Sequence, residues 1–155
     1  MSDVIYLDYA ILAAKLRPLR GDLTVTLTNG CFDLLHVGHV RMLQDAAAQG
    51  DLLIVALNSD ASVRGNKGEG RPYVPLAERM ELIAALKGVD YVTCFDEPSA
   101  DKLLENLQPE VYCKGTDWTV GSVPERETVK AYGGRIAICG DEKTHSSTDL
   151  GKRSD

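Results

Sequence analysis

The sequence predicts an α/β fold: a doubly wound, Rossmann-like domain with about five mostly parallel strands and helices on both faces. Three observations predict it. Strand-like runs alternate with amphipathic helical stretches along the chain. The run Leu52–Leu57, LLIVAL, is apolar at every position, as a strand covered on both faces requires. Polar clusters recur just after these runs, at the strand ends where such folds bind ligands. At 155 residues the chain reads as one domain, residues 1–155, with a core over about 22–150.

The elements follow in order. An N-terminal helix is expected over 3–17. Asp22–Leu27 is β-rich, with Leu23, Val25 and Leu27 on one face and threonines on the other. Val40, Leu43 and Ala47 share a helical face, and Gly50 supplies a stop. After Leu52–Leu57, residues 64 to 75 (RGNKGEGRPYVP) read as a long glycine- and proline-rich loop. Pro75 opens a helix whose stripe is Leu76, Met80, Ile83 and Ala84, ended by Gly88. Further strands are expected at Tyr91–Cys94, Val111–Cys113 and Arg135–Cys139. Ser99 is placed to cap the helix before Pro109, and Pro124 starts another that stops at Gly133.

Composition narrows the function classes. Hydrophobic residues make up 44% and charged residues 26%, ordinary for a globular protein. The net charge of −6 gives no electrostatic footprint for nucleic acid. No apolar run approaches the ~20 residues of a membrane span. Asp3 and Asp8 stand where an export signal would carry positive charge, so a cytoplasmic protein is expected. The four cysteines form no C-x-x-C pair and read as free thiols.

The strand ends carry the chemistry. The first delivers Thr28-Asn29-Gly30, followed by two of the chain's three histidines, His36 and His39, at a helix start. Their spacing places both imidazoles on one face of the first turn, beside unpaired N–H groups suited to phosphate. Gly38 leaves room there for a flat nucleoside against the backbone. Neither common glycine-rich phosphate loop is present. After the second strand stand Asn58 and Asp60. Lys67 and Arg71 in the following loop are candidates for a clamp on a triphosphate. Arg79, one turn into the next helix, points back to the same phosphates or pairs with Glu78 or Glu81 on the surface. Lys114, Gly115 and Asp117 follow the fourth strand, with Trp118, the only tryptophan, as a stacking surface. Ser147 and Thr148 sit at a final helix cap that can also hold phosphate. This set suits a nucleotide held for attack on its phosphate. No acidic cage for a metal is visible.

The segments TNGCFDLLHVGHVRML, LNSDASV, KGEGRPYVPLAERM, CKGTDW and SST resemble the H-x-G-H nucleotidyltransferase superfamily. Within it they resemble the adenylyltransferase domain that makes ADP-heptose for the lipopolysaccharide core. The resemblance implies transfer of AMP from ATP to D-glycero-β-D-manno-heptose 1-phosphate, with release of pyrophosphate. It implies His36, His39 and Lys67 as catalytic contacts, and a first nucleotide loop of Asn29, Gly30, Phe32 and Asp33. Asn58, Asp60, Arg71 and Arg79 would surround nucleotide and phosphates. Lys114, Gly115 and Asp117 would line the base or sugar, and Ser147 and Thr148 the phosphate end. Mg²⁺ would arrive on the substrate phosphates, a separate sugar kinase and phosphatase would supply the sugar phosphate, and a homodimer is expected. CTP-using relatives typically carry RT-x-GIST where this chain has Glu142 and Lys143, which favours ATP. Two other readings stand beside it: a CTP-dependent transferase acting on glycerol 3-phosphate or another alcohol phosphate, and a nucleotide-binding sensor without turnover.

Overall fold

The computed structural model describes residues 3–141. Its elements are β1 (Ile5–Tyr6), α1 (Tyr9–Arg20), β2 (Val25–Gly30), α2 (Val37–Ala48), β3 (Leu52–Asn58), α3 (Asp60–Lys67), α4 (Leu76–Ala84), β4 (Tyr91–Phe95), α5 (Asp101–Leu107), β5 (Val111–Gly115), α6 (Arg126–Ala131) and β6 (Arg135–Cys139). The strands form one six-stranded sheet in the order β1-β4-β3-β2-β5-β6, parallel throughout. The order runs outward from β2 to β3 and β4, then returns to place β5 on the other side of β2. The switch point therefore lies between the C-terminal ends of β2 and β5, where a ligand crevice opens in folds of this class.

Both faces of the sheet are covered, as the unbroken apolar run of β3 requires. Ile54 and Ala56 face a core with Leu12 and Leu16 of α1, Leu103, Leu104 and Leu107 of α5 and Val129 of α6. Leu53, Val55 and Leu57 face the opposite core, with Leu43 and Ala46 of α2 and Met80 and Ile83 of α4. This period of two decides which helix each strand residue meets.

Four features depart from the sequence expectation. The N-terminal helix begins at Tyr9, capped by Asp8 Oδ1 accepting from Ala10 N at 2.9 Å, and a two-residue strand precedes it at the sheet edge. The expected loop 64–75 is helical to Lys67, because α3 is started by Ser59 Oγ accepting from Ser62 N at 3.1 Å. Ser99 is not the N-cap of α5: Ala100 is, and Ser99 Oγ donates to Asp101 Oδ2 at 2.8 Å. Gly50 follows α2 without a left-handed turn; a Cβ there would lie 2.7 Å from the Thr24 carbonyl oxygen, so close approach to β2 demands glycine.

Candidate active site

The β2–α2 loop is built around two imidazoles that serve their own helix. His36 is the N-cap of α2, and its Nδ1 accepts from Gly38 N at 3.1 Å. His39 answers from the first turn, its Nδ1 accepting from His36 N at 3.2 Å. The two rings stack with centroids 3.9 Å apart and planes 24° from parallel. This is a reciprocal capping box made of histidines rather than of serine and glutamate. It also settles the tautomers: an Nδ1 that accepts carries no proton, so in each neutral ring the proton resides on Nε2.

Gly38 serves this pair directly. A Cβ on Gly38 would stand 2.9 Å from His36 Cε1 and 3.0 Å from its Nδ1. The glycine is what lets the imidazole fold back over the helix start. Phe32, mostly buried, sets its ring 5.4 Å from that of His39. Phe32 and Leu34 both adopt left-handed backbone, with φ of 50° and 49°, costly for side chains of their size.

Asp33 offsets that cost. Fully buried, it accepts from Tyr73 N at 2.8 Å, Val74 N at 3.0 Å and Arg71 Nε at 2.9 Å. Arg71 is 7% exposed and lies with its guanidinium 4.5 Å over the Tyr73 ring. The pair ties the β2–α2 loop to the segment before α4. Arg71 is thus a buried anchor in this structure.

Arg79 is buried as well. It is 0% exposed, and no surface pair with Glu78 or Glu81 forms. Its Nε donates to Val74 O at 2.9 Å, its Nη1 to Cys31 O at 2.8 Å and Asn58 O at 2.9 Å, and its Nη2 to Asp60 Oδ1 at 2.6 Å. One guanidinium joins the ends of β2 and β3, the start of α3 and the segment before α4. Asp60 also accepts from Leu76 N at 3.0 Å. Asp60 and Arg79 are thereby committed to the scaffold that shapes the cleft. Thr28 is fully buried too, its Oγ1 directed to Met42 Sδ of α2 at 3.8 Å.

Other expected residues do gather at the switch point. Asn58 ends β3 and donates from Nδ2 to Ser62 Oγ at 3.1 Å. Gly30 ends β2, with room for a Cβ limited by the Phe32 ring at 3.2 Å. Lys67 ends α3, exposed, close enough to Cys31 for its charge to act on that thiol. Burial nonetheless pushes the Cys31 thiol up. Lys114 and Gly115 end β5 beside Asn29, with Lys114 Nζ 3.5 Å from Asn29 Oδ1. Lys114 Nζ also sits 5.6 Å from the Tyr112 ring centre and 5.1 Å from that of Trp118. Burial pushes the Lys114 ammonium below the usual lysine range, while the Glu125 carboxylate holds it up. Trp118 packs against the core and lies beside this cation. Asp117 is exposed at the rim. Ser147 and Thr148 lie outside the described residues.

Two residues passed over in the sequence reading lie beneath Asn29. Tyr112, fully buried, places its hydroxyl 2.7 Å from Asn29 Oδ1 and 3.2 Å from Glu125 Oε1. The signal available was the pair itself, a tyrosine in a central strand and a glutamate at a helix start, both of which have ordinary readings.

Among the described residues, no three His, Cys, Asp or Glu side chains group to hold a metal ion. Asp33 and Asp60 are already engaged by arginines and backbone N–H groups. Donors for a protein-held metal are thus not assembled here. The cysteines are free, as expected. Among the described residues no helix is long and apolar enough to cross a membrane.

Comparison with known proteins agrees with this geometry. The chain is 50% identical over 126 residues, 81% of its length, to the bifunctional protein HldE of Geobacter sulfurreducens. It is 46% identical over 143 residues, 92% of its length, to that of Streptomyces coelicolor. It spans 26% and 30% of those relatives' own lengths. Among solved structures, the fold is similar to a lipopolysaccharide core biosynthesis protein of Thermoplasma volcanium, with TM-score 0.68, 24% identity, 78% of this chain and 99% of that one. It is also similar to pantoate-beta-alanine ligase of Francisella tularensis, with TM-score 0.73, 14% identity, 97% of this chain and 73% of that one. The cytidylyltransferase-like family matches residues 27–152, most of the sequence and all of the site described above, and the chain belongs to that family.

Proposed function

We propose that this protein is an adenylyltransferase that moves AMP from ATP to D-glycero-β-D-manno-heptose 1-phosphate, giving ADP-heptose and pyrophosphate. The observation that carries the reading is the interlocked histidine pair at the α2 N-terminus, at the switch point of a parallel sheet. Both rings are held in the tautomer that donates from Nε2, at a helix end that favours anions. The identity to bifunctional HldE proteins, over a stretch resembling their ADP-heptose-forming domain, favours this sugar phosphate over other acceptors.

In the proposed reaction a phosphate oxygen of the sugar phosphate attacks the α-phosphorus of ATP in line. The bond from that phosphorus to the bridging oxygen breaks, and pyrophosphate leaves with the electron pair. His36 and His39 donate hydrogen bonds to phosphate oxygens as charge shifts, and Lys67 supplies a positive charge from the end of α3. Asn29, Gly30, Asn58, Gly115 and Asp117 line the remaining cleft. Asp33, Arg71, Asp60 and Arg79 act one step back by holding the loops. Mg²⁺ would be carried on the nucleotide's phosphates, where it would offset their charge.

The test is pyrophosphate release by the purified protein, with ATP or CTP offered against heptose 1-phosphate or glycerol 3-phosphate. Release with ATP and heptose 1-phosphate alone is the expected result. Release with CTP in its place would move the chain to cytidylyl transfer, and silence with all four pairs, with ATP still bound, would favour a sensor.

A further inference from the structure

Beneath the ends of β2 and β5 a polar chain runs into the core, where aliphatic packing would be less costly. Tyr112 is fully buried and Glu125 is 8% exposed. The Tyr112 hydroxyl has one proton to donate, with Asn29 Oδ1 at 2.7 Å and Glu125 Oε1 at 3.2 Å. Lys114 Nζ donates to the same Asn29 oxygen at 3.5 Å. Glu125 is the N-cap residue of α6, yet its carboxylate makes no cap hydrogen bond. A carboxylate at that position ordinarily takes an N–H of the first turn. This one turns inward to the tyrosine instead.

The geometry has a consequence for Asn29. The shorter contact gives the single hydroxyl proton to Asn29 Oδ1, and Lys114 Nζ donates to the same oxygen, so the amide nitrogen presents its two N–H groups on the other side. Resting on the nucleotidyl-transfer reading above, we propose that Tyr112 and Glu125 are positioning residues of this site: Tyr112 holds the Asn29 carboxamide in one orientation through its single hydroxyl proton, and the Glu125 carboxylate behind it holds the Lys114 ammonium beside that amide, so that both present donors to substrate oxygen atoms. Neither residue touches substrate in this account. They act through Asn29 and Lys114.

The groups facing Lys114 are Asn29 from β2, Tyr112 on its own strand, Trp118 beyond β5 and Glu125 ahead of α6. Glu125 is the charge acting on it, and it opposes the effect of burial. Removing that charge favours the neutral amine, so Lys114 deprotonates at lower pH.

The experiment uses Glu125→Gln, which keeps shape, and Tyr112→Phe, which removes the shared hydroxyl. Pyrophosphate release is followed across pH, and the Lys114 ¹³Cε resonance is titrated by NMR in the unliganded full chain. In Glu125→Gln, the alkaline limb of kcat/KM and the Lys114 midpoint both move to lower pH. Tyr112→Phe raises KM for one substrate about tenfold while kcat stays within about threefold. Wild-type KM values and an unmoved Lys114 midpoint, in variants melting with the wild type, overturn the proposal. Should Tyr112→Phe not fold, Glu125→Gln decides alone. Should the wild type release no pyrophosphate with any pair, the adenylyl-transfer reading falls. The NMR titration still decides the positioning role, because an unmoved midpoint overturns it without any assay of turnover.

Discussion

The buried frame behind the cleft and the strand and helix ends that open on it use their cations in opposite ways. In the frame made by the β2–α2 loop and α4, Arg71 and Arg79 are buried and tied to Asp33, Asp60 and backbone carbonyls. At the element ends, Lys114 of β5 is desolvated beside two aromatic rings with a long contact to Asn29, and Lys67 stands exposed at the end of α3. All four bases look alike in the sequence, each a cation just after a strand or at a loop. Their surroundings separate them. A guanidinium with four short hydrogen bonds inside the protein has little left for a ligand, whereas an ammonium with one long contact has donors to spare.

The largest effect expected from this contrast is at Arg79. Arg79→Met leaves the half-buried Asp60 without its partner and the carbonyls of Val74, Cys31 and Asn58 without their donor. Urea denaturation should show a loss of about 3–5 kcal/mol, at about 1–3 kcal/mol for each buried acceptor left unpaired. A loss under about 1 kcal/mol would mean the four hydrogen bonds hold nothing together. Asp33→Asn comes next. It cannot accept at both ends, so one backbone N–H or Arg71 goes unpaired, at about 2–3 kcal/mol by the same assay. Lys67→Ala tests the exposed cations: stability within about 0.5 kcal/mol of wild type, with turnover down about tenfold to a hundredfold. If Lys67→Ala destabilised the fold and spared turnover, the contrast between buried and exposed cations would be reversed. Gly38→Ala is the mildest. Its methyl displaces the His36 ring, while better helix propensity of about 1 kcal/mol offsets the clash, so turnover falls about tenfold with little change in melting.

The same contrast explains what the sequence made legible. The buried strands announce themselves because a parallel sheet covered on both faces needs runs such as LLIVAL. β1 does not, being two residues long at an edge. α3 was hidden because Gly65 and Asn66 are poor helix formers, and its start depends on one Ser59 hydroxyl. In the site, His36 and His39 were legible because their spacing is itself the structure: residues three apart at a helix start must meet. The burial of Arg71 and Arg79 was not legible, because a sequence shows a charge but not its destination. Tyr112 and Glu125 were passed over because each has a commonplace role where it stands, and only the folded chain brings the two hydroxyl contacts together.

The central claim is that the histidine pair does chemistry as well as capping, and His36→Asn separates the two. Asparagine is among the best N-caps, so α2 and the melting temperature should be preserved. The imidazole is lost. Pyrophosphate release from ATP and heptose 1-phosphate, measured at matched folded fraction, should fall about 10²–10³-fold, the usual consequence of removing one transition-state donor. Wild-type release by a fully folded His36→Asn protein would contradict the account, leaving the histidines as helix caps and no more.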